Sequence, residues 1–117
     1  MKKLLTAFFA LIMIGFTVKA ADLSDLTYTN NGIFVAITGC NKEASGELVI
    51  PPKIDGVPVW FLRDYAFNGC SQLTSVTIPD GADMGVGLFQ GCESLETVNL
   101  PRDLKIIKPD TFRYCAA

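Results

Sequence analysis

The apolar positions of the chain recur on a long, regular beat. Phe67-Asn-Gly-Cys70-Ser-Gln-Leu73 returns as Phe89-Gln-Gly-Cys92-Glu-Ser-Leu95 and begins again as Phe112-Arg-Tyr-Cys115, at spacings of 22 and 23 residues. A second block keeps the same beat: Leu73-Thr-Ser-Val76-Thr-Ile78-Pro79 and Leu95-Glu-Thr-Val98-Asn-Leu100-Pro101. Gly46-Glu-Leu48-Val-Ile50-Pro51 is an earlier, degenerate copy, and Leu62, Met84 and Ile107 each stand five residues before a repeat Phe. Self-similarity of this period is the mark of a solenoid, in which each unit buries its apolar face only by stacking on the next.

Each block has a physical role. Apolar/polar/apolar alternation in Val76-Thr77-Ile78 and Val98-Asn99-Leu100 is the period of a strand. Pro79 and Pro101 end these strands, because proline has no N–H to give a ladder. Successive copies are expected to pair in parallel, roughly 4.8 Å apart. Phe67 and Cys70, like Phe89 and Cys92, are three apart, which fits one helical or 3₁₀ turn facing both inward. Gly69 and Gly91 precede the Cys, where a tight turn favours a residue without Cβ. Upstream, Thr27 to Ile37 reads as two strands around Asn31-Gly32, a strong hairpin signal. A solenoid needs its first coil covered, and the hairpin is placed to cap it.

At these residues the chain resembles the BspA-type leucine-rich repeats, with their "L-x-x-V-x-I-P … A-F-x-G-C-x-x-L" pattern. Tyr65-Ala66-Phe67-Asn68-Gly69-Cys70 and Leu73 to Asp80 match closely, and Ile54-Asp55-Gly56-Val57-Pro58-Val59 is similar to the start of such arrays. Gly87-Leu88 departs from the pattern, which prefers Tyr or Asn followed by Ala. The resemblance implies a β-rich solenoid: a short stack of right-handed leucine-rich repeat coils with an N-terminal β-hairpin cap and few helical turns. The expected division is a signal peptide over 1–20, the cap over 21–45, and repeats over 46–117 with the last incomplete.

Composition changes the picture at the front end. Lys2-Lys3, the uncharged stretch Leu4 to Val18, and Val18-Lys19-Ala20 follow the order of a secretory signal. The stretch is shorter than the roughly 20 apolar residues of a membrane span. Cys40 is too far from the cleavage site for lipoprotein attachment. Of the 117 residues, 20 leave with the signal, taking Lys2, Lys3 and Lys19, so the net charge of −2 becomes −5. An acidic chain without a basic run is a poor ligand for nucleic acid phosphates or anionic membranes.

Candidate chemistry is thin. The chain contains no histidine, which removes the commonest general base and metal ligand. Asp64, Asp80, Glu93, Glu96, Asp103 and Asp110 fall at corners and turns, where solvated acids belong. Gly85-Val86-Gly87 lacks the third glycine and helix of a dinucleotide loop. Cys70, Cys92 and Cys115 share one repeat position and point the same way, a poor disposition for disulfides that suits a reduced column packed as small hydrophobes. Cys40 either caps that column or stands alone. No catalytic residue, metal site or cofactor is expected.

What remains is a surface. The repeat puts Glu47, Ser75 and Thr97 on one outward row and Val49, Thr77 and Asn99 on another; Trp60 and Phe61 are either further contact residues or packed against the N-terminal hairpin. The resemblance implies a secreted or cell-surface module of adhesion type that binds an extracellular protein or glycan. The alternative is a non-binding structural piece, the cap and first coils of a longer repeat protein, able to self-associate through an uncapped C-terminal coil.

Overall fold

In the computed structural model, residues 20–115 are described. A 3₁₀ turn, Leu23–Asp25, opens the cap; the Asp22 carboxylate accepts from Ser24 N, and Asp22 N donates to Asp25. Strands β1 (Leu26–Asn30) and β2 (Val35–Cys40) form an antiparallel hairpin. Its turn is held by side chains: Asn30 accepts from Gly32 N, and Asn31 accepts from Ile33 N and Phe34 N. Gly32 has φ +88°, which is why glycine stands there. The signal over 1–20 lies, but for Ala20, outside the described residues.

The coils are built from two parallel ladders. One consists of β3 (Ser45–Val49), β6 (Gln72–Thr77) and β8 (Thr97–Asn99), with Leu48, Val76 and Val98 paired along its inner line. The strands begin earlier than the alternation at Val76 and Val98 suggested, and they end before Ile78 and Leu100. The second ladder runs from the cap: β2 pairs in parallel with β5 (Val57–Leu62), and β5 with β7 (Asp83–Met84). A short β4 (Lys53–Ile54) folds back on β5 through Asp55-Gly56, both at positive φ, the geometry of a two-residue hairpin turn.

The Phe–Cys segment is neither α nor 3₁₀ helix. Ala66, Asn68 and Cys70 donate to Arg63, Tyr65 and Phe67, giving overlapping turns. Positive φ at Tyr65 (58°) and Gly69 (74°) breaks any helical run, and the same pair recurs at Gly87 and Gly91 and at Asp110 and Tyr114. The left-handed residues turn alternate N–H groups toward the next coil. Tyr65, Phe67 and Gly69 N donate to Val86, Leu88 and Gln90 O, and Gly87, Phe89 and Gly91 N donate to Pro109, Thr111 and Arg113 O. This third ladder satisfies the backbone of a segment that is otherwise buried in the stack.

Side chains follow the same rows inward. Phe67 and Phe89 are wholly buried and stacked 5.4 Å apart, and Phe112 continues the stack at 5.8 Å while 39% exposed. Leu62 and Met84 are buried but Ile107 is exposed; Ile78 is buried but Leu100 is exposed. The core is thus complete through the second Phe turn and open beyond it. Gly85 and Gly87 are packing glycines: a Cβ on Gly85 would lie 2.5 Å from Asp64 N, and one on Gly87 would meet the Tyr65 ring. Gly85→Ala has no flexible neighbour to displace, so we expect it to destabilise the fold by about 2–3 kcal/mol in urea unfolding. A loss within error of zero would show that the coils can part there.

Candidate functional site

The ladder registers decide which side chains share a face. Glu47, Ser75 and Thr97 are direct partners along β3-β6-β8, and so are Val49, Thr77 and Asn99. The intervening Leu48-Val76-Val98 line points inward, so alternation sends both outer rows to the opposite side. Val49 is 55% exposed; Glu47, Thr97 and Asn99 are also exposed, while Ser75 and Thr77 are half-buried. Asn99 Nδ2 donates to Thr77 Oγ1 at 2.9 Å, fixing one amide across the ladder. The face offers hydroxyls, an amide and one carboxylate on a rigid grid.

Trp60 is not part of that face. It lies on β5 in the other sheet, where the step from Val35↔Val59 to Ala36↔Phe61 leaves Trp60 as an extra residue. Such a bulge re-aims the strand's side chains. Both rings meet Phe34 of the cap: Trp60 stacks on it at 5.5 Å, and Phe61 meets it edge-on at 5.2 Å. The Arg63 guanidinium covers Phe61 at 4.7 Å. Trp60 nevertheless keeps 43% of its surface exposed. Phe34 and Arg63 went unnoticed in the sequence, since only the hairpin fold-back brings Phe34 to β5.

The comparisons with known proteins agree on what such a stack is. The profile of BspA type leucine rich repeat regions, which holds six copies, matches residues 57–117. The chain belongs to the BspA-type leucine-rich repeat family. A solved leucine-rich repeat protein of T. pallidum superposes with a TM-score of 0.70 at 30% identity, over 82% of this chain and 46% of that one. The chain therefore spans less than half of that protein's length. A search of curated proteins gives no match. Leucine-rich repeats of this kind generally serve as non-enzymatic, protein-binding scaffolds, and BspA-type proteins are typically secreted or held at the surface.

Four acids of this leucine-rich repeat, Asp64, Asp80, Asp83 and Asp103, act between coils. Asp80 takes Arg102 on both oxygens, at 2.8 Å from N to Oδ1 and 2.8 Å from Nε to Oδ2, which holds its carboxyl below the usual range. Asp64 accepts from Val86 N at 2.8 Å, Asp103 from Gly81 N at 3.2 Å, and Lys108 bridges to Asp83 at 3.1 Å. Among the described residues no group of three His, Cys, Asp or Glu could hold a metal. Nor is any described helix long and apolar enough to cross a membrane.

Cys92 Sγ donates to Phe67 O and Cys115 Sγ to Phe89 O, both at 3.1 Å, so each of these thiols reaches back one coil. All four cysteines stand as free thiols. Burial, with the neighbouring thiols adding to it, pushes Cys92 from an ordinary value of 9.0 up to about 12. The unfolded chain therefore ionises first, so stability should be level below pH 9 and fall as pH rises toward 12. Unfolding measured across pH 8–11 should show a shallower decline in Cys92→Ala; identical slopes would remove Cys92 as a cause.

Proposed function

We propose that this chain is an exported adhesion-type binding module, which holds an extracellular protein or glycan on the outward face of β3, β6 and β8. The observation that carries the reading is the register of Glu47-Ser75-Thr97 and Val49-Thr77-Asn99, which lines up four small polar side chains, with Glu47 and Val49 at the head of the rows, on a rigid ladder. Hydroxyl and amide groups at that spacing suit the hydrogen-bonding edges of an extended peptide or the hydroxyls of a sugar. Export rests on the signal-like segment over 1–20. The chain without residues 1–20 should be screened against immobilised extracellular matrix proteins and a glycan panel. Thr77→Arg with Asn99→Arg should then weaken binding at least tenfold, about 1.4 kcal/mol, with an unchanged circular dichroism spectrum. Binding that survives the double variant but is lost in Trp60→Ala would move the site to the cap-side aromatic cluster and overturn the assignment of this face.

A second reading is a structural role, in which the β8 end receives a further coil or a second copy. The exposed Leu100, Ile107 and Phe112 at that end favour it.

A further inference from the structure

The cysteine column has one joint unlike the others. Cys92 and Cys115 give their protons to carbonyls of the preceding coil. Cys70 has no such bond of comparable length: its Sγ lies 4.0 Å from Cys40 O and 3.8 Å from Asn41 O. Cys70 Sγ instead sits against the main chain of Cys40 and Asn41, and the Cys40 and Cys70 thiols shift each other's ionisation. Cys40 ends β2 of the cap, and Cys70 closes the first Phe turn. The pair thus spans the seam between cap and first coil.

That seam is thinly made at the turn. Toward the second coil, the Tyr65–Gly69 segment gives three backbone hydrogen bonds. Toward the cap, Lys42 Nζ donates to Asn68 O, and beside this contact lies a hollow of about 420 Å³. Asp25, Thr27, Cys40, Lys42, Tyr65 and Ala66 are among its lining. Cys70 is wholly buried, whereas Cys40 is half-buried and faces the hollow.

We propose that Cys40 and Cys70 form a redox-active dithiol, closed into a disulfide by a disulfide-bearing oxidant that enters the hollow, and that the bond seals the cap onto the first coil. The two thiols share protons unequally. The neighbouring Cys40 thiol lowers Cys70, against the effect of burial and with help from Lys42, and Cys70 together with burial raises Cys40. The singly ionised pair therefore carries its proton on Cys40. Passing that proton to Cys70 makes Cys40 the thiolate at the accessible position. Cys40 attacks one sulfur of the oxidant, whose S–S bond breaks; one oxidant thiol leaves, protonated from solvent. Cys70, returning its proton to solvent, attacks the Cys40 sulfur of the mixed disulfide and expels the second oxidant thiol. The protein loses two electrons and two protons, and one oxidant disulfide becomes two thiols.

The experiment is disulfide mapping of the chain equilibrated with glutathione disulfide, alkylated, and digested with trypsin without reduction. Cleavage after Lys42, Arg63 and Arg102 places Cys40 in the peptide ending at Lys42 and Cys70 in residues 64–102, together with Cys92. The expected product joins these two peptides, with fragmentation placing the link at Cys70 and with Cys92 and Cys115 alkylated. Cys92→Ser should keep the link and Cys40→Ser should abolish it. The oxidised parent should melt on the order of 10 °C above the reduced parent, and Cys40→Ser, whose side chain is half-buried and tolerates the change, should show no such difference. Alkylation of all four cysteines, a link through Cys92 or Cys115, or an oxidised parent that melts no higher than the reduced one would each overturn the proposal.

Discussion

Phe89→Ala is expected to cost about 4 kcal/mol, while Phe112→Ala, at the same repeat position, costs about 1–2 kcal/mol. The Phe89 ring is wholly buried and stacked on both sides, 5.4 Å from Phe67 and 5.8 Å from Phe112. Among the described residues Phe112 stacks on one side only, against Phe89, and it is 39% exposed. Truncating Phe89 therefore empties the middle of the core and breaks two aromatic contacts, each worth about 0.5–1.5 kcal/mol beyond burial. In a solenoid, total stability is the sum of coil terms and nearest-neighbour interfaces, and Phe89 contributes to two interfaces. A domain of this size holds roughly 5–10 kcal/mol in all, so Phe89→Ala should be largely unfolded on mild heating while Phe112→Ala remains folded. Urea titration followed by Trp60 fluorescence checks this. Equal losses at the two positions would mean that the ring stack is not a shared core.

The difference between those two positions was only half legible in the sequence. The period named the Phe row, the inward Leu48-Val76-Val98 line and both outward rows, because strand alternation repeats the same side-chain chemistry in each coil. Interactions made by backbone left a weaker trace. The ladder through β5 and β7 rests on β7, a strand of two residues, Asp83–Met84, too short to show alternation. The third ladder depends on left-handed backbone at Tyr65, Gly87 and Asp110, three unrelated residue types whose shared property is a dihedral angle. The hairpin of β4 and β5 was signalled by Asp55-Gly56 between apolar residues. Its strands were read only as part of the family pattern. Gly87, a departure from that pattern, is accounted for by the Tyr65 ring of the previous coil lying where a Cβ would be. The outward rows could be listed from the sequence, and so could packing on the hairpin as one of two readings of Trp60 and Phe61; Phe34 and the bulge on β5 decide between them.

At micromolar to millimolar concentrations the chain is expected to self-associate through the β8 end. β8 lies at the edge of its sheet, and an edge strand with free backbone groups is a template for another chain. Beside it a hollow of about 330 Å³ is lined by Leu95, Val98, Leu100, Phe112 and Cys115 among others. Three of the nearby charges are turned back onto the preceding coil and guard this edge less: Arg102 on Asp80, Lys108 on Asp83, and Asp103 on Gly81 N. Two further coils ending in a polar cap would cover the exposed Leu100, Ile107 and Phe112 and pair the β8 edge. That extension should raise the melting temperature by on the order of 10 °C and leave a single monomeric species in sedimentation. Leu100→Lys, which puts a charge on the open apolar end without touching the Phe stack, should weaken association while leaving the fold intact. If the chain instead sediments as a cooperatively folded monomer at millimolar concentration, the edge is closed by means other than pairing, and the structural reading of the β8 end falls with it.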